Sequence, residues 1–263
     1  MSHLLTNTEH YSNMTTTRRV DIIIPVYNEK ENFVTTYGLI REHVHSDWRL
    51  LLVYDFPEDT TLEAAAPLVA QDERLLLVHN HARGALNAIK TGFTEAQAEA
   101  VLVLMVDDPV EIIGRIDALV ELFYAEGATI GVASRYMRGG GHHGGPILKG
   151  ILSRLAGVSL HYVIGLPTHD ATYATRVYKK SFLESTRIES TMGFELSLEL
   201  TLKAYFTGGK IVELPVVWHE RTIGTSRFNL RKWLPAYLSW YLWGIAMRYI
   251  PFAVKNSSKV ASR

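Results

Sequence analysis

The chain has 263 residues, 47% of them hydrophobic, with 27 Lys and Arg against 27 Asp and Glu, and no cysteine. That length suits one α/β domain with an appendage or two small domains, and the apolar content supports a large core. The neutral balance argues against a nucleic-acid partner, and the lack of cysteine excludes disulfides, Cys-ligated zinc and thiol catalysis, in keeping with a cytoplasmic setting.

In chain order, residues 1–17 are polar, carry no apolar segment of signal-peptide type, and read as a mobile tail. Strands are predicted at Val20–Ile24, Arg49–Tyr54, Leu75–Val78, Val101–Val106 and Thr129–Ala133. Helical patterns lie between them at Glu31–His43, Thr61–Gln71, Gly84–Glu95 and Glu111–Glu126. This alternation predicts an α/β fold with a mostly parallel central sheet flanked by helices. The glycine-rich run 139–145, with His142 and His143, has no periodicity and reads as a loop suited to a lid or an acceptor site. A helix over about 147–165 follows, then a loop around Asp170, a short strand or helix through Tyr178–Phe182, a helix from Gly193 to Phe206 and a strand at Lys210–Trp218. The main domain spans 18–230.

Residues 231–263 differ in character. From Trp233 to Val254 the only charge is Arg248, and tryptophan and tyrosine crowd the segment. Three readings stay open: an amphipathic helix on a membrane surface, with Arg231, Lys232 and Lys255 near anionic lipid; a helix buried on the core or in a homo-oligomer; and a membrane span.

The residues with chemistry sit at the carboxyl ends of the predicted strands, where open parallel sheets bind ligands. Pro25 must end the first strand, since it has no N–H for a central ladder, and it delivers Tyr27, Asn28 and Glu29 to that edge. The second strand ends at Asp55, followed by Asp59 and Thr61, where Asp59 or Thr60 could also cap the next helix. Arg83-Gly84 opens a helix whose small Ala88 and Gly92 allow close packing on the sheet. Asp107-Asp108 follows the fourth strand, a place where two acids could hold a divalent cation against a pyrophosphate. Arg135 follows the fifth. Later come Asp170, with Thr172, Arg176 and Tyr178, then Gly193-Phe194-Glu195, and Glu213-Leu214-Pro215-Val216 ahead of Arg221-x-x-Gly224-x-Ser226-Arg227. Two arginines and a hydroxyl around a glycine make an anion clamp.

Taken in order from residue 20 to 230, these segments resemble the family-2 glycosyltransferases of GT-A fold, in the branch of dolichyl-phosphate mannose synthases and other polyprenyl-phosphate glycosyltransferases. The resemblance implies an enzyme that moves a sugar, with inversion, from a nucleotide-diphospho-sugar (GDP-mannose or a UDP-hexose) to a dolichyl or undecaprenyl phosphate. It implies a peripheral location on the cytoplasmic face of a membrane. It assigns donor contacts to Pro25, Tyr27, Glu29, Asp55, Arg83, Asp107, Arg221, Ser226 and Arg227, and catalytic contacts to Asp108, Arg135, Asp170 and Glu195. Mg²⁺ or Mn²⁺ would lie at Asp107 and Asp108. The chain departs from the family pattern there, because Val106 or Pro109 stands where a second acid is usual, and again at Tyr54, Phe56-Pro57 and Tyr173-Ala174-Thr175. Two other readings are transfer to a soluble sugar hydroxyl, with Asp170 or Glu195 as base, and a catalytically silent sugar-nucleotide-binding relative. A Rossmann NAD enzyme is disfavoured, since no G-x-G-x-x-G follows the first strand.

Overall fold

A computed structural model describes residues 19–145, 147–219 and 230–250. The anticipated tail, the Arg221–Arg227 clamp and the last residues of the C-terminal segment lie outside these.

The first half alternates as expected: β1 (Arg19–Pro25), α1 (Lys30–His43), β2 (Asp47–Tyr54), α2 (Thr60–Val69), β3 (Leu75–His79), α3 (Ala85–Glu95) and β4 (Ala100–Val103). Strand β1 is buried on both faces: Ile22 and Ile24 enter one core with Leu50, Leu52 and Phe33, and Ile23 enters the other with Leu51, Val101 and Ile89. That is why its sequence is a continuous β-branched run rather than an alternating one. The chain continues through α4 (Val110–Ile113), α5 (Ile116–Ala125), β5 (Ile130–Ser134), β6 (Gly141–His143), α6 (Ile147–Ile164), β7 (Arg176–Lys179), α7 (Lys180–Ser185), α8 (Leu196–Phe206), β8 (Ile211–Pro215), β9 (Val217–His219) and α9 (Leu230–Tyr249).

The main sheet has the order β3-β2-β1-β4-β7-β5-β8, and a small second sheet pairs β6 with β9. Strand β7 runs antiparallel to β4 and β5, and the other pairings are parallel. Several expected boundaries move. β4 stops at Val103, so Leu104–Val106 belong to the connection carrying Asp107 and Asp108. The helix expected over Glu111–Glu126 is broken at Gly114 and Arg115. The strand expected over Lys210–Trp218 is two strands in different sheets, changing over at Val216, whose N–H donates to the Ser134 carbonyl while its carbonyl accepts from Gly141. The glycine-rich run is no open loop: Gly141–His143 pairs with β9, His142 stacks on Trp218 at 4.8 Å and His143 on His219 at 4.9 Å.

The tight α3–β1 contact rests on Gly92. A Cβ there would lie 2.5 Å from Cγ2 of the fully buried Ile23. Overpacking of this kind costs about 1–3 kcal/mol, against about 1 kcal/mol gained from helix propensity. Gly92→Ala is therefore expected to lower the urea midpoint; a raised midpoint would show that α3 can lift off the sheet without penalty.

Among the described residues no helix is long and apolar enough to cross a membrane. Four aromatic residues of α9 turn inward: Tyr237, Trp240, Tyr241 and Trp243 pack on the second core, Tyr241 shares a 3.0 Å hydrogen bond with Ser159 of α6, and a Cβ on Gly244 would meet Leu202 at 2.8 Å.

Candidate active site

The carboxyl ends of β1, β2 and β4, with the segment after β5, carry the predicted groups, and the structure fixes each by contacts distant in sequence. After Pro25, Asn28 adopts φ 53°, an uncommon region for a side-chain-bearing residue. Its N–H donates to both oxygens of Asp59 at 3.0 Å, the Glu29 N–H donates to the Thr61 hydroxyl at 2.9 Å, and the Thr60 N–H donates to Asn28 Oδ1 at 3.0 Å. Asp59 also caps α2 through the Thr61 N–H at 2.8 Å. One capped helix thus pins the turn carrying Tyr27 and Glu29. Tyr27 is 49% exposed and meets Phe56 edge-on at 5.4 Å, presenting aromatic surface at the sheet edge.

Asp55 is buried, and its two oxygens accept from Asn80 Nδ2 and from the Gly84 N–H, each at 2.7 Å. It therefore shapes the Arg83-Gly84 turn, in which Arg83 is exposed at φ 53° and Gly84 sits at φ 89°. Fully buried Asn80, unremarked in the sequence, holds this junction together; its spacing to Asp55 gives no local signal.

Asp108 is buried at a junction of three donors. Oδ1 accepts from the Tyr173 hydroxyl at 2.5 Å; Oδ2 accepts from the Thr175 hydroxyl at 2.5 Å and from the Met105 N–H at 3.1 Å. Burial raises its carboxyl to about 6, the two hydroxyl donors opposing in part. Asp107 is half-buried beside it. Each oxygen of Asp108 already accepts from a protein donor, Val106 is buried where a second acid is usual, and no cluster of three His, Asp or Glu able to hold a metal by itself occurs among the described residues. Carboxylate oxygens keep further lone pairs, so a cation at Asp107 and Asp108 would draw its remaining ligands from a bound diphosphate.

Arg135 and Asp170 come together as a buried two-pronged pair. Nε donates to Oδ2 at 2.7 Å and Nη2 to Oδ1 at 3.1 Å, with the side chains 9% and 0% exposed. The Arg135, Thr172 and Tyr173 N–H groups donate to the same carboxylate at 3.1, 3.3 and 3.1 Å. Burial alone would raise Asp170, but Arg135 reverses this and holds it below the ordinary value. Asp170 is therefore a fixed anion that orients Arg135, and it is unsuited to act as a general base. The Tyr173 ring lies 4.4 Å from the guanidinium, so a single tyrosine joins this pair to Asp108. Glu213 locks the same loop, accepting from Thr168 Oγ1, His169 N–H and His169 Nδ1 at 3.0, 2.8 and 2.6 Å.

Glu195 is apart from this group. It does not cap α8; Oε1 accepts from the Thr191 and Met192 N–H groups at 3.0 and 2.7 Å, while the buried Oε2 has no hydrogen-bond partner among the described residues.

A cavity of about 430 Å³ opens between β6 and the start of α6, lined by Arg135, Tyr136, His142, Gly150, Ile151 and Arg154. Behind this lining the Tyr136 hydroxyl donates to Ser153 Oγ at 3.0 Å, which lies 2.7 Å from Thr172 Oγ1. Arg154, missed in the sequence, is exposed and has no carboxylate partner among the described residues. The arrangement suits an anion with a bulky neighbour: fixed Arg135, uncommitted Arg154 and Tyr136 around one opening.

The family model described as Glycosyl transferase family 2 matches residues 21–187. Polyprenol monophosphomannose synthase of Mycolicibacterium smegmatis is 29% identical over 242 residues, covering 88% of this chain and 89% of its own length. Undecaprenyl-phosphate mannosyltransferase of Micrococcus luteus is 28% identical over 237 residues, covering 88% and 96%. Dolichol-phosphate mannosyltransferase of Pyrococcus furiosus is 26% identical over 218 residues, covering 80% of this chain and 59% of its own. Among solved structures, glucosyl-3-phosphoglycerate synthase from Mycobacterium tuberculosis, in complex with Mn²⁺, UDP and glucosyl-3-phosphoglycerate, superposes with a TM-score of 0.64 at 13% identity, covering 88% of this chain and 80% of its own. That likeness is one of fold, and it places the chain in the GT-A class.

Proposed function

The chain belongs to glycosyl transferase family 2, and from that premise we propose that it moves a sugar from a nucleotide-diphospho-sugar to a polyprenyl phosphate on the cytoplasmic face of a membrane. The observation that carries this reading is the Arg135–Asp170 pair at the wall of the cavity that Arg154 also lines. The mannosyltransferase relatives, named for polyprenyl-phosphate acceptors, support the same class of acceptor.

The chemistry follows from charge. A phosphate monoester is largely dianionic near neutral pH, its second pKa being about 6, so it needs no strong base. Arg135 and Arg154 would hold the acceptor phosphate. One of its oxygens attacks the anomeric carbon, the bond from that carbon to the diphosphate oxygen breaks, and the nucleoside diphosphate leaves with the electron pair, inverting the centre. Tyr27 and Phe56 offer an edge for the donor base, and Pro25, Glu29, Asp55 and Asp107 shape the donor side. Arg83, with the clamp Arg221, Ser226 and Arg227, would face the diphosphate. Positioning and leaving-group stabilisation supply the catalysis, and a divalent cation held at Asp107 and Asp108 would add to the second. Asp108 acts by holding Tyr173 under Arg135. A second reading, transfer to a sugar hydroxyl with Glu195 as base, draws on the unpartnered buried Oε2.

The test is transfer of label from UDP- and GDP-sugars to undecaprenyl and dolichyl phosphate, with and without EDTA. A chloroform-soluble labelled product is the expected result. Label found only in water-soluble saccharide would move the assignment to a hydroxyl acceptor. A product abolished by EDTA and restored by Mn²⁺ would assign a cation to Asp107 and Asp108, and one formed equally in EDTA would remove it.

A further inference from the structure

Among the described residues, the cavity beside α6 has four ionisable groups in its lining, Arg135, Tyr136, His142 and Arg154, and no carboxylate. The His142 imidazole is set within it by three neighbours. Trp218 of β9 stacks on the ring at 4.8 Å, with the planes 7° from parallel. Gly150 of α6 leaves room for the ring edge, since a Cβ there would lie 3.2 Å from Cε1 and 3.4 Å from Nδ1. The Tyr136 ring centre is 6.3 Å away. Gly150 and Arg154 stand four residues apart on one face of the helix, so the imidazole edge and the guanidinium meet the same opening. Tyr136 brings Arg135 into the group. Its ring lies 4.8 Å from that guanidinium, and Arg135 and Arg154 both oppose the rise that burial imposes on its hydroxyl.

We propose that His142 is the third cation of this cavity, binding the phosphate monoester of the acceptor as an imidazolium beside Arg135 and Arg154. This role rests on the acceptor class proposed above and adds a regulation of that site, the dependence of its affinity on pH. Two guanidinium groups and a ring N–H then converge on one phosphate. Ordinary imidazoles and phosphate monoesters titrate close together, at about 6.5 and about 6. Slightly above neutral pH the partners therefore meet mostly as neutral ring and dianion. Seating the dianion against the ring draws one proton from solvent onto the imidazole, with no covalent bond made or broken. Trp218 favours the same state, because an indole face attracts a cation stacked on it. Among the described residues, the charged groups facing the ring are Arg135 from the segment after β5 and Arg154 from α6, with the Tyr136 hydroxyl behind them. His143 and His219 stack on each other at the next position of the strand pair. The two arginines repel a charged ring in the free protein, and a bound dianion reverses that balance. The sign follows from linkage. Phosphate favours the charged ring, so the added affinity is complete below the free imidazole value and is lost as pH rises through the bound one.

The test is isothermal titration of the full chain with a short, water-soluble prenyl phosphate at pH 6.5, 7.5 and 8.5, in buffers of different ionisation heat. Wild type is compared with His142→Gln and with His143→Gln. Wild type should take up as much as about one proton on binding at pH 7.5. Its affinity should be roughly tenfold weaker at pH 8.5 than at pH 6.5, the size expected when an adjacent dianion favours the charged ring. His142→Gln should bind without proton uptake and with a nearly flat pH dependence, and His143→Gln should keep both features of the wild type. No binding by wild type, binding without proton uptake, or uptake undiminished in His142→Gln would each overturn the role of His142. Sugar transfer to the same prenyl phosphate separates this role from the enzyme assignment. Transfer with an acceptor KM equal at all three pH values defeats the role of His142 alone, whereas proton-coupled binding without transfer from any donor defeats the transferase reading alone.

Discussion

Asp170→Ala should lose about 3–5 kcal/mol of folding stability, the usual cost of breaking a buried ion pair from one side. The size follows from what is left behind. The Arg135 guanidinium, nearly out of water, would keep Ser153 Oγ at 3.2 Å and the rings of Tyr136 and Tyr173, but no anion. The N–H groups of Arg135, Thr172 and Tyr173 would lose their acceptor in the same step. Pairing the change with Arg135→Met removes the stranded charge, so the double variant should recover part of the loss. Asp170 has a lowered folded pKa against an ordinary value of 3.8. Its contribution is therefore complete above about 3.8 and is lost as pH falls through the lower folded value. Urea unfolding at neutral pH and in acid measures both. A single-variant loss under about 1 kcal/mol would mean that water reaches Arg135 and that the pair behaves as a surface one. Because Arg135 lines the cavity, sugar transfer should fall with the same substitution.

The parts of this molecule legible from sequence are those with local signals. The run Val20–Ile24 stopped by Pro25, the glycine and alanine spacing of α3, and the alternation of strands and helices all report themselves within a few residues. The second sheet did not, since three-residue strands made of Gly, His, Val and Trp carry no period, and the change of sheet at Val216 interrupts what reads as one strand. The same divide runs through the site. Asp55, Asp108, Arg135 and Asp170 could be picked out one by one from their places at strand ends. What each carboxylate is bonded to could not, because Asn80, Tyr173 and Thr175 lie 25, 65 and 67 residues from the acids they satisfy. That both oxygens of Asp108 accept from protein donors shows only in the tertiary contacts. Arg154 did leave a trace, as a cation on a helix without a single acid.

Asp108→Asn should act in the opposite sense and raise stability at neutral pH by about 1–3 kcal/mol. The buried carboxyl lies at about 6 against an ordinary 3.8. Between these values the folded protein holds a proton that the unfolded chain releases, so stability falls as pH rises through this window. Above about pH 6 the penalty is complete, and the difference between the two values corresponds to about 3 kcal/mol. An amide carries no charge to desolvate, and it can keep both hydroxyl partners: its oxygen accepts from one, and its NH₂ donates to the other after that hydroxyl rotates. The gain should therefore appear between pH 4 and 7 and vanish below about 4, where both proteins are neutral at this position. Parallel pH dependence of wild type and variant in urea titrations would show that Asp108 is not the buried acid setting this slope. Two aspartates in contact with one tyrosine thus have opposite energetic signs, Asp170 stabilised by Arg135 and Asp108 kept at a cost. An acid retained at a cost, beside a cavity wall it helps to position, is what a site selected for function rather than stability would show. Asp108→Asn should accordingly be the more stable protein and the slower transferase, and a variant that is both more stable and equally active would remove Asp108 from the site.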